Sequence, residues 1–270
     1  MSGANLQHLL AMVLYMAAVV GIGIYFAGRA NKDAESYFLG GRSLGPWVTA
    51  FSAEASDMSG YLLMGLPGLA YWTGLADVGW TCIGLALGTY LNFLITSRRL
   101  RRYSIAVDAF TVPDFFSKRY HEGKHKTLMV LSSLIIIIFF SVYAAQCLST
   151  CGKLFANLFG LSYQSMMIVA AAFVLLYTFL GGFNAVCWTD FFQGLLMLGS
   201  LFAAPIVALC MMEKSGTTAG SLPTGYWNMM TSWQDILSGL GWGLGYAGMP
   251  HIIIRFMSVK SDKELKKAAK

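Results

Sequence analysis

Two carboxylates three residues apart, Glu54 and Asp57, stand inside an apolar segment covering residues 45–72. An ionised carboxylate in hydrocarbon costs about 2.5 to 3.5 kcal/mol even on the gentlest insertion scale, so each needs a partner or a wet cavity. Small and hydroxyl residues surround the pair: Ser52, Ala53, Ala55, Ser56, Ser59 and Gly60. Gly60, Pro67 and Gly68 weaken helical continuity in the same segment. Acids and helix breakers together at mid-membrane predict a broken helix that turns backbone groups toward an ion or solute. The plainer alternative is a helix whose acids reach the rim or pair with a basic neighbour.

Apolar runs of transmembrane length recur along the rest of the chain. With 56% hydrophobic and 12% charged residues, the composition lies far from that of a soluble domain. The expected class is an all-α polytopic membrane protein with about seven spans. The first covers 7–28; with no basic residue ahead of it and no small-residue cleavage site, it reads as a retained span rather than a signal peptide. The broken segment is the second, followed by 78–96, 127–149, 163–180, 191–212 and 236–256. A basic loop is expected at 97–126, a polar turn at 184–190 and a polar stretch at 213–234 with a short interfacial piece near 226–233. The five cysteines sit in or beside apolar runs, with neither zinc spacing nor a disulfide framework, and read as packing residues.

In a seven-span arrangement all lysines and arginines except Lys153 and Lys214 fall on one side. The positive-inside rule places that side in the cytoplasm and the N-terminus outside. The net charge of +6 is then a matter of topology and contact with anionic lipid. The basic loop is too short to supply a nucleic-acid-binding domain.

The last span holds glycines at 239, 241, 243, 245 and 248, with Pro250 near its inner end. Close helix packing is one use for such glycines. Placed all round the helix and followed by a proline, they favour an unwound segment facing the same cavity as the second span. Trp242 and Tyr246, four apart, could line that cavity. His251 reads as an interfacial or packing residue. Tyr143 and Gln146 are polar edges within the fourth span; the tyrosine either satisfies a backbone carbonyl or donates to a carboxylate. No metal-ligand cluster, phosphate loop or nucleophile–base pair is present, which argues against an enzyme.

The stretches YFLGGRSLGPWVTAFSAEASDMSGYLLMGLPG, FLGGFNAVCWTDFFQ and GWGLGYAGMPHIIIRFM resemble the sodium/solute symporter family, over residues 37–257. The resemblance implies a leucine-transporter-like fold: an extra N-terminal helix (7–28), a first five-helix repeat (45–212), the first helix of an inverted second repeat (236–256) and a basic cytoplasmic tail (257–270). It implies sodium as the coupling ion, no other cofactor, and proline or a closely related small solute as the substrate. Backbone carbonyls of Ala55 and Met58 would hold sodium, with Asp57, Ser56 and Ser59 beside them. Tyr143, Trp242, Tyr246 and Pro250 map onto the family's solute site. Arg42 matches an arginine tied to sodium coupling, and Asp190 an aspartate with a role in ion access.

Two departures qualify the likeness. Glu54 and Met249 stand where a small and a polar residue are expected, so Glu54 is a candidate second ion ligand, proton site or salt-bridge partner. The family also has around thirteen spans, and hydroxyl groups from a later helix complete its sodium shell. The chain therefore reads as the N-terminal portion of a plasma-membrane symporter, with a solute-binding or sensing module, or a non-transporting remnant, as the alternative.

Overall fold

The structure, a computed structural model, describes residues 3–215, 222 and 224–270. Part of the polar stretch expected at 213–234 lies outside the described residues. The first helix, α1 (Gly3–Ala30), is apolar between His8 and Arg29 and buries Val19, Gly23, Phe26 and Ala30 at helical intervals. A short α2 (Ala34–Leu39) starts where the Asp33 carboxylate accepts the Ser36 N–H at 2.7 Å, and stops at Gly40. Gly40 and Gly41 both have φ of 61°, a left-handed conformation that turns the chain and delivers Arg42 to its partners.

The second pass is broken, as its acids and glycines predict. It comprises α3 (Pro46–Asp57), a π-helical turn over Tyr61–Gly65, and α4 (Leu66–Thr73). Proline in the first turn of α3 sacrifices no intrahelical bond. The ladder ends where Met58 turns extended, with ψ of 106°. After Gly74, α5 (Leu75–Ala106) runs into a connection carrying α6 (Val112–Arg119), whose N-terminus is capped by the Thr111 hydroxyl.

Next come α7 (Thr127–Phe159) and α8 (Tyr163–Ser215). Gly182, with φ 59° and ψ −159°, interrupts α8. Residues on both sides of the interruption return to α1: Tyr177 packs on Gly23, and the Gln193 amide donates to the Tyr15 hydroxyl. The chain therefore reverses at Gly182. The final pass is α9 (Trp233–Gly241), a 3-10 turn over Trp242–Gly248, and α10 (Pro250–Met257), followed by α11 (Asp262–Ala268). Among the described residues α1, α5, α7 and α8 are long and apolar enough to cross a membrane.

Several expected boundaries are corrected. The helix begun at 75 continues to 106, so Arg98, Arg99, Arg101 and Arg102 lie on helix rather than loop. Likewise α7 continues ten residues past the expected end at 149. The expected polar turn at 184–190 is helical, because its polar side chains find partners: the Asn184 amide donates to the Gly40 carbonyl at 3.1 Å and the Thr189 hydroxyl to the Val186 carbonyl. The stretch at 224–232 is turn and extended chain, and Trp233 opens α9.

Glycine also sets how the last pass docks. A side-chain carbon at Gly84 of α5 would fall 2.6 Å from the Gly239 carbonyl oxygen, and one at Gly88 would overlap the backbone of Gly243. Gly239 and Gly243, one turn apart, thus serve close packing, whereas nothing crowds Gly241 or Gly248. The packing and unwinding readings of this glycine-rich stretch each hold for part of it.

The tightest core lies at the basic end. Leu39, Phe93, Phe256, Met257, Val259 and Leu265 are buried together, with Phe93 and Phe256 edge to face at 4.8 Å. Polar ties fasten the same region. Leu44 N–H donates to the Ser258 carbonyl and Lys260 N–H to the Leu44 carbonyl, both at 3.1 Å. The Arg101 guanidinium reaches the Val259 and Lys260 carbonyls and the Asp262 carboxylate, which also takes Arg102 at 2.6 Å. The expected tail is thus a capped, docked helix, because Leu265 has an apolar seat and Ser261 caps its N-terminus.

Burial works against charge at Asp262, but the bonds from Arg102 and Arg101 outweigh it and hold the carboxyl below its ordinary value. A depressed carboxyl stabilises the docked helix above its unfolded pKa of about 3.9 and loses that contribution as pH falls through the lower folded value. Amide-exchange protection over 262–268 should therefore persist at mildly acidic pH and fall below about pH 4. Asp262→Asn should weaken protection at neutral pH and flatten this acid dependence.

Candidate functional site

Both broken passes interrupt at an extended methionine: Met58, with ψ of 106°, and Met249, with ψ of 109°. Met249 is extended because Pro250 follows it and clashes with a helical residue before it. The last helical bond of α3 runs from Met58 N–H to the Glu54 carbonyl at 3.1 Å. The carbonyls of Ala55, Ser56, Asp57 and Met58 lie past that bond, at the negative end of the helix dipole. Oxygens of this kind, beside a carboxylate, suit a hard monovalent cation.

Side chains from other passes meet this break. The Tyr246 hydroxyl donates to the Asp57 carboxylate, joining the two broken passes directly. The Tyr143 hydroxyl of α7 donates to the Ser56 carbonyl at 3.2 Å, so it serves a backbone group rather than the carboxylate. Ser56 turns its own hydroxyl back to the Ala53 carbonyl at 3.0 Å, and the Ser59 hydroxyl accepts the Tyr61 N–H. The buried Asn92 of α5 donates to the Tyr246 carbonyl at 2.8 Å. A cavity of about 490 Å³ opens here, lined by Glu54, Asp57, Met58, Ser59, Thr89 and Tyr246 among others. Glu54 is exposed toward it, while Ser52, Ala53 and Ala55 on the other faces of α3 are buried.

The remaining candidates are placed unevenly. Pro250 opens α10 beside the second break. Trp242 does not join Tyr246 in the cavity; it stacks parallel on Tyr61 at 5.4 Å and stays half exposed. The 3-10 winding separates these two residues, which an α-helix would have aligned. Gly60 meets Thr150 of α7 so closely that a side-chain carbon would fall 2.7 Å from the threonine methyl.

Asp190 belongs to a separate buried cluster. Its carboxylate accepts the Ser52 hydroxyl at 2.7 Å and the Arg255 guanidinium at 2.8 Å, and Arg255 also donates to Ser52 at 2.8 Å. Further off, Arg42 binds four groups: Glu35 at 2.7 Å, the Ser104 hydroxyl, and the Met257 and Ala109 carbonyls at 2.9 Å. It locks the basic end rather than touching the breaks.

Two residues acquire roles that the sequence reading did not give them. Arg255, grouped with the surface charge, is only 4% exposed and neutralises Asp190. Its position inside the expected span 236–256 was the available signal, since a charge at that depth requires a partner. His251, read as a packing or interfacial residue, lies with Nε2 4.0 Å from Asp57 Oδ1 and its ring stacked on Tyr143. Both of its ring nitrogens are buried without a hydrogen-bond partner among the described residues. Nothing in its spacing announced that contact.

The model of the sodium:solute symporter family matches residues 37–270. Two curated relatives, each named sodium/proline symporter, from Staphylococcus aureus strains USA300 / TCH1516 and JH9, are 46% identical over 98% of this chain and 52% of their own length. The chain thus spans about half the length of the curated relatives it matches. A solved structure, described as the substrate-bound outward-open state of a Na+-coupled sialic acid symporter with a novel Na+-site, superposes with a TM-score of 0.75 at 20% identity. It covers 98% of this chain and 56% of the other, so the leucine-transporter-like fold is shared.

Removing one partner of the buried Asp190–Arg255 pair leaves the other charge uncompensated. Asp190→Asn or Arg255→Met should each lower stability by about 3–5 kcal/mol, and the double variant should recover much of the loss. Melting temperatures of the purified proteins in one detergent would show this pattern.

Proposed function

Because this chain belongs to the sodium:solute symporter family, a family of transporters rather than enzymes, we propose that its two broken passes form half of a site coupling downhill sodium entry to uptake of proline or a closely related small solute. The observation that carries the reading is the Tyr246–Asp57 hydrogen bond, which ties the two interrupted helices together at a cavity. The names of the relatives at 46% identity support sodium and proline as the pair.

In this mechanism the carbonyls of Ala55 and Met58 hold the cation, with Asp57 supplying charge and Ser56 and Ser59 adjacent oxygens. Sodium bound there competes with Tyr246 for the Asp57 carboxylate, so its arrival alters the tie between the two passes. Tyr143, Tyr246 and Pro250 bound the solute, whose ring or short side chain packs on the aromatic faces, while Trp242 remains stacked on Tyr61 at the edge of the site. Glu54 opens on the same cavity and gives a cation or a proton a second carboxylate. Gly60 keeps α7 close to the first break. Alternating access then requires the Arg42 lock and the Asp190–Arg255 pair to loosen as the broken passes tilt.

The basic end faces the cytoplasm in this reading, against anionic lipid, with the N-terminus outside and the chain in the plasma membrane. Residues 45–212 make the first repeat, 236–256 open the second, and 7–28 stand outside both.

Labelled proline uptake into proteoliposomes under an inward sodium gradient tests the proposal. At an effective dielectric of 20, a carboxylate about 4 Å from a cation contributes about 4 kcal/mol. Asp57→Asn should therefore cut uptake at sub-saturating sodium by well over tenfold, while Glu54→Gln should change the balance between sodium and proton dependence. Uptake by the Asp57 variant equal to that of the parent would sink the assignment.

A further inference from the structure

Outside the transport site, α5 and α6 enclose a recess of about 710 Å³ at the basic end. Arg99, Arg102 and Arg119 line it, together with Ile95, Tyr103 and Phe115, and among the described residues no acidic side chain does. We infer that this recess binds the phosphate headgroup of an anionic phospholipid, with an acyl chain lying along α5.

Three observations support this occupant. Arg119 is already oriented: its guanidinium lies 4.4 Å over the Tyr103 ring and donates to the tyrosine hydroxyl at 2.9 Å, and Tyr103 is braced edge to face by Phe115 at 5.8 Å. A guanidinium held this way loses little freedom on meeting a phosphate and offers it a planar fork of donors. Secondly, the recess carries spare charge. Arg99 is exposed and enters no ion pair among the described residues, while Arg102 gives Asp262 its Nε alone, leaving its terminal nitrogens for another acceptor.

Thirdly, an apolar track leads into the arginines. Leu91 and Ile95, 48% and 53% exposed, lie one turn apart, and the next positions on that face of α5 are Arg99 and Arg102. Bare apolar surface followed at once by cations matches a phospholipid from tail to phosphate. A soluble anion would use the arginines and leave the track uncovered. This arrangement goes beyond the diffuse attraction of basic loops to anionic membranes, because it gathers charge from two helices around one concavity.

Native mass spectrometry of the purified protein, titrated in mixed micelles with phosphatidylglycerol or with phosphatidylcholine, provides the test. The expected result is one tightly retained phosphatidylglycerol and no comparable phosphatidylcholine. Each arginine near the surface contributes about 1 kcal/mol, so Arg99→Gln and Arg119→Gln should each weaken binding about fivefold. Lys124→Gln, outside the recess, should leave it unchanged. Arg99 is exposed and pairs with none of the described residues, so its variant reads binding without disturbing the fold. Equal retention of the two lipids, or parental affinity in Arg99→Gln, would overturn the inference. Displacement of the lipid by millimolar inorganic phosphate alone would reassign the recess to a free anion.

Discussion

A helix can be broken inside a bilayer only where neighbouring protein groups or a water-lined cavity take up the backbone groups it releases. Here that service comes from side chains on unbroken neighbours. Tyr143 of α7 takes the Ser56 carbonyl, and Asn92 of α5 takes that of Tyr246. The breaks in turn hold each other through Tyr246 and Asp57. Remove these donors and the Ser56 and Tyr246 carbonyls lose their partners, at a cost of about 1–3 kcal/mol each where they are buried. The interrupted passes are therefore the dependent part of the fold, and α5 and α7 are its frame.

The chain divides its interactions along its length in a way that matches this dependence. Toward the basic end, large apolar side chains and charge-assisted bonds fix α2, α5, α10 and α11 against one another. Facing the cavity, the two breaks are joined by hydrogen bonds and aromatic stacks, with space left between them. Stability concentrated at one end and sparse contacts at the other give local opening a direction: the sparse end yields first.

Much of this was readable from residues. The pair Glu54 and Asp57 in an apolar run demanded a break, and the structure interrupts the helix one residue after Asp57. Pro250 after a run of glycines demanded another, found at Met249. What stayed hidden depended on contacts between distant passes. Helix propensity could not show that the chain remains helical through Arg102, because Val259, Lys260 and Asp262, the partners of Arg101 and Arg102, come some 160 residues later. Trp242 and Tyr246 were paired on α-helical spacing, and the 3-10 winding moved them apart. His251 and Arg255 found partners on α3 and α8 that no local pattern encodes.

The backbone contact of Gly84 and Gly88 with Gly239 and Gly243 has a mechanical consequence. Two helices touching through bare backbone have no interlocking side chains to act as ratchet teeth, and no gap in which to tilt independently. They behave as a splint. Whatever angle the last pass adopts, α5 must adopt with it, and α5 carries on its far end the arginines that grip α11 and the recess beside α6. A movement of the last pass at the cavity is thus carried along α5 to the basic end.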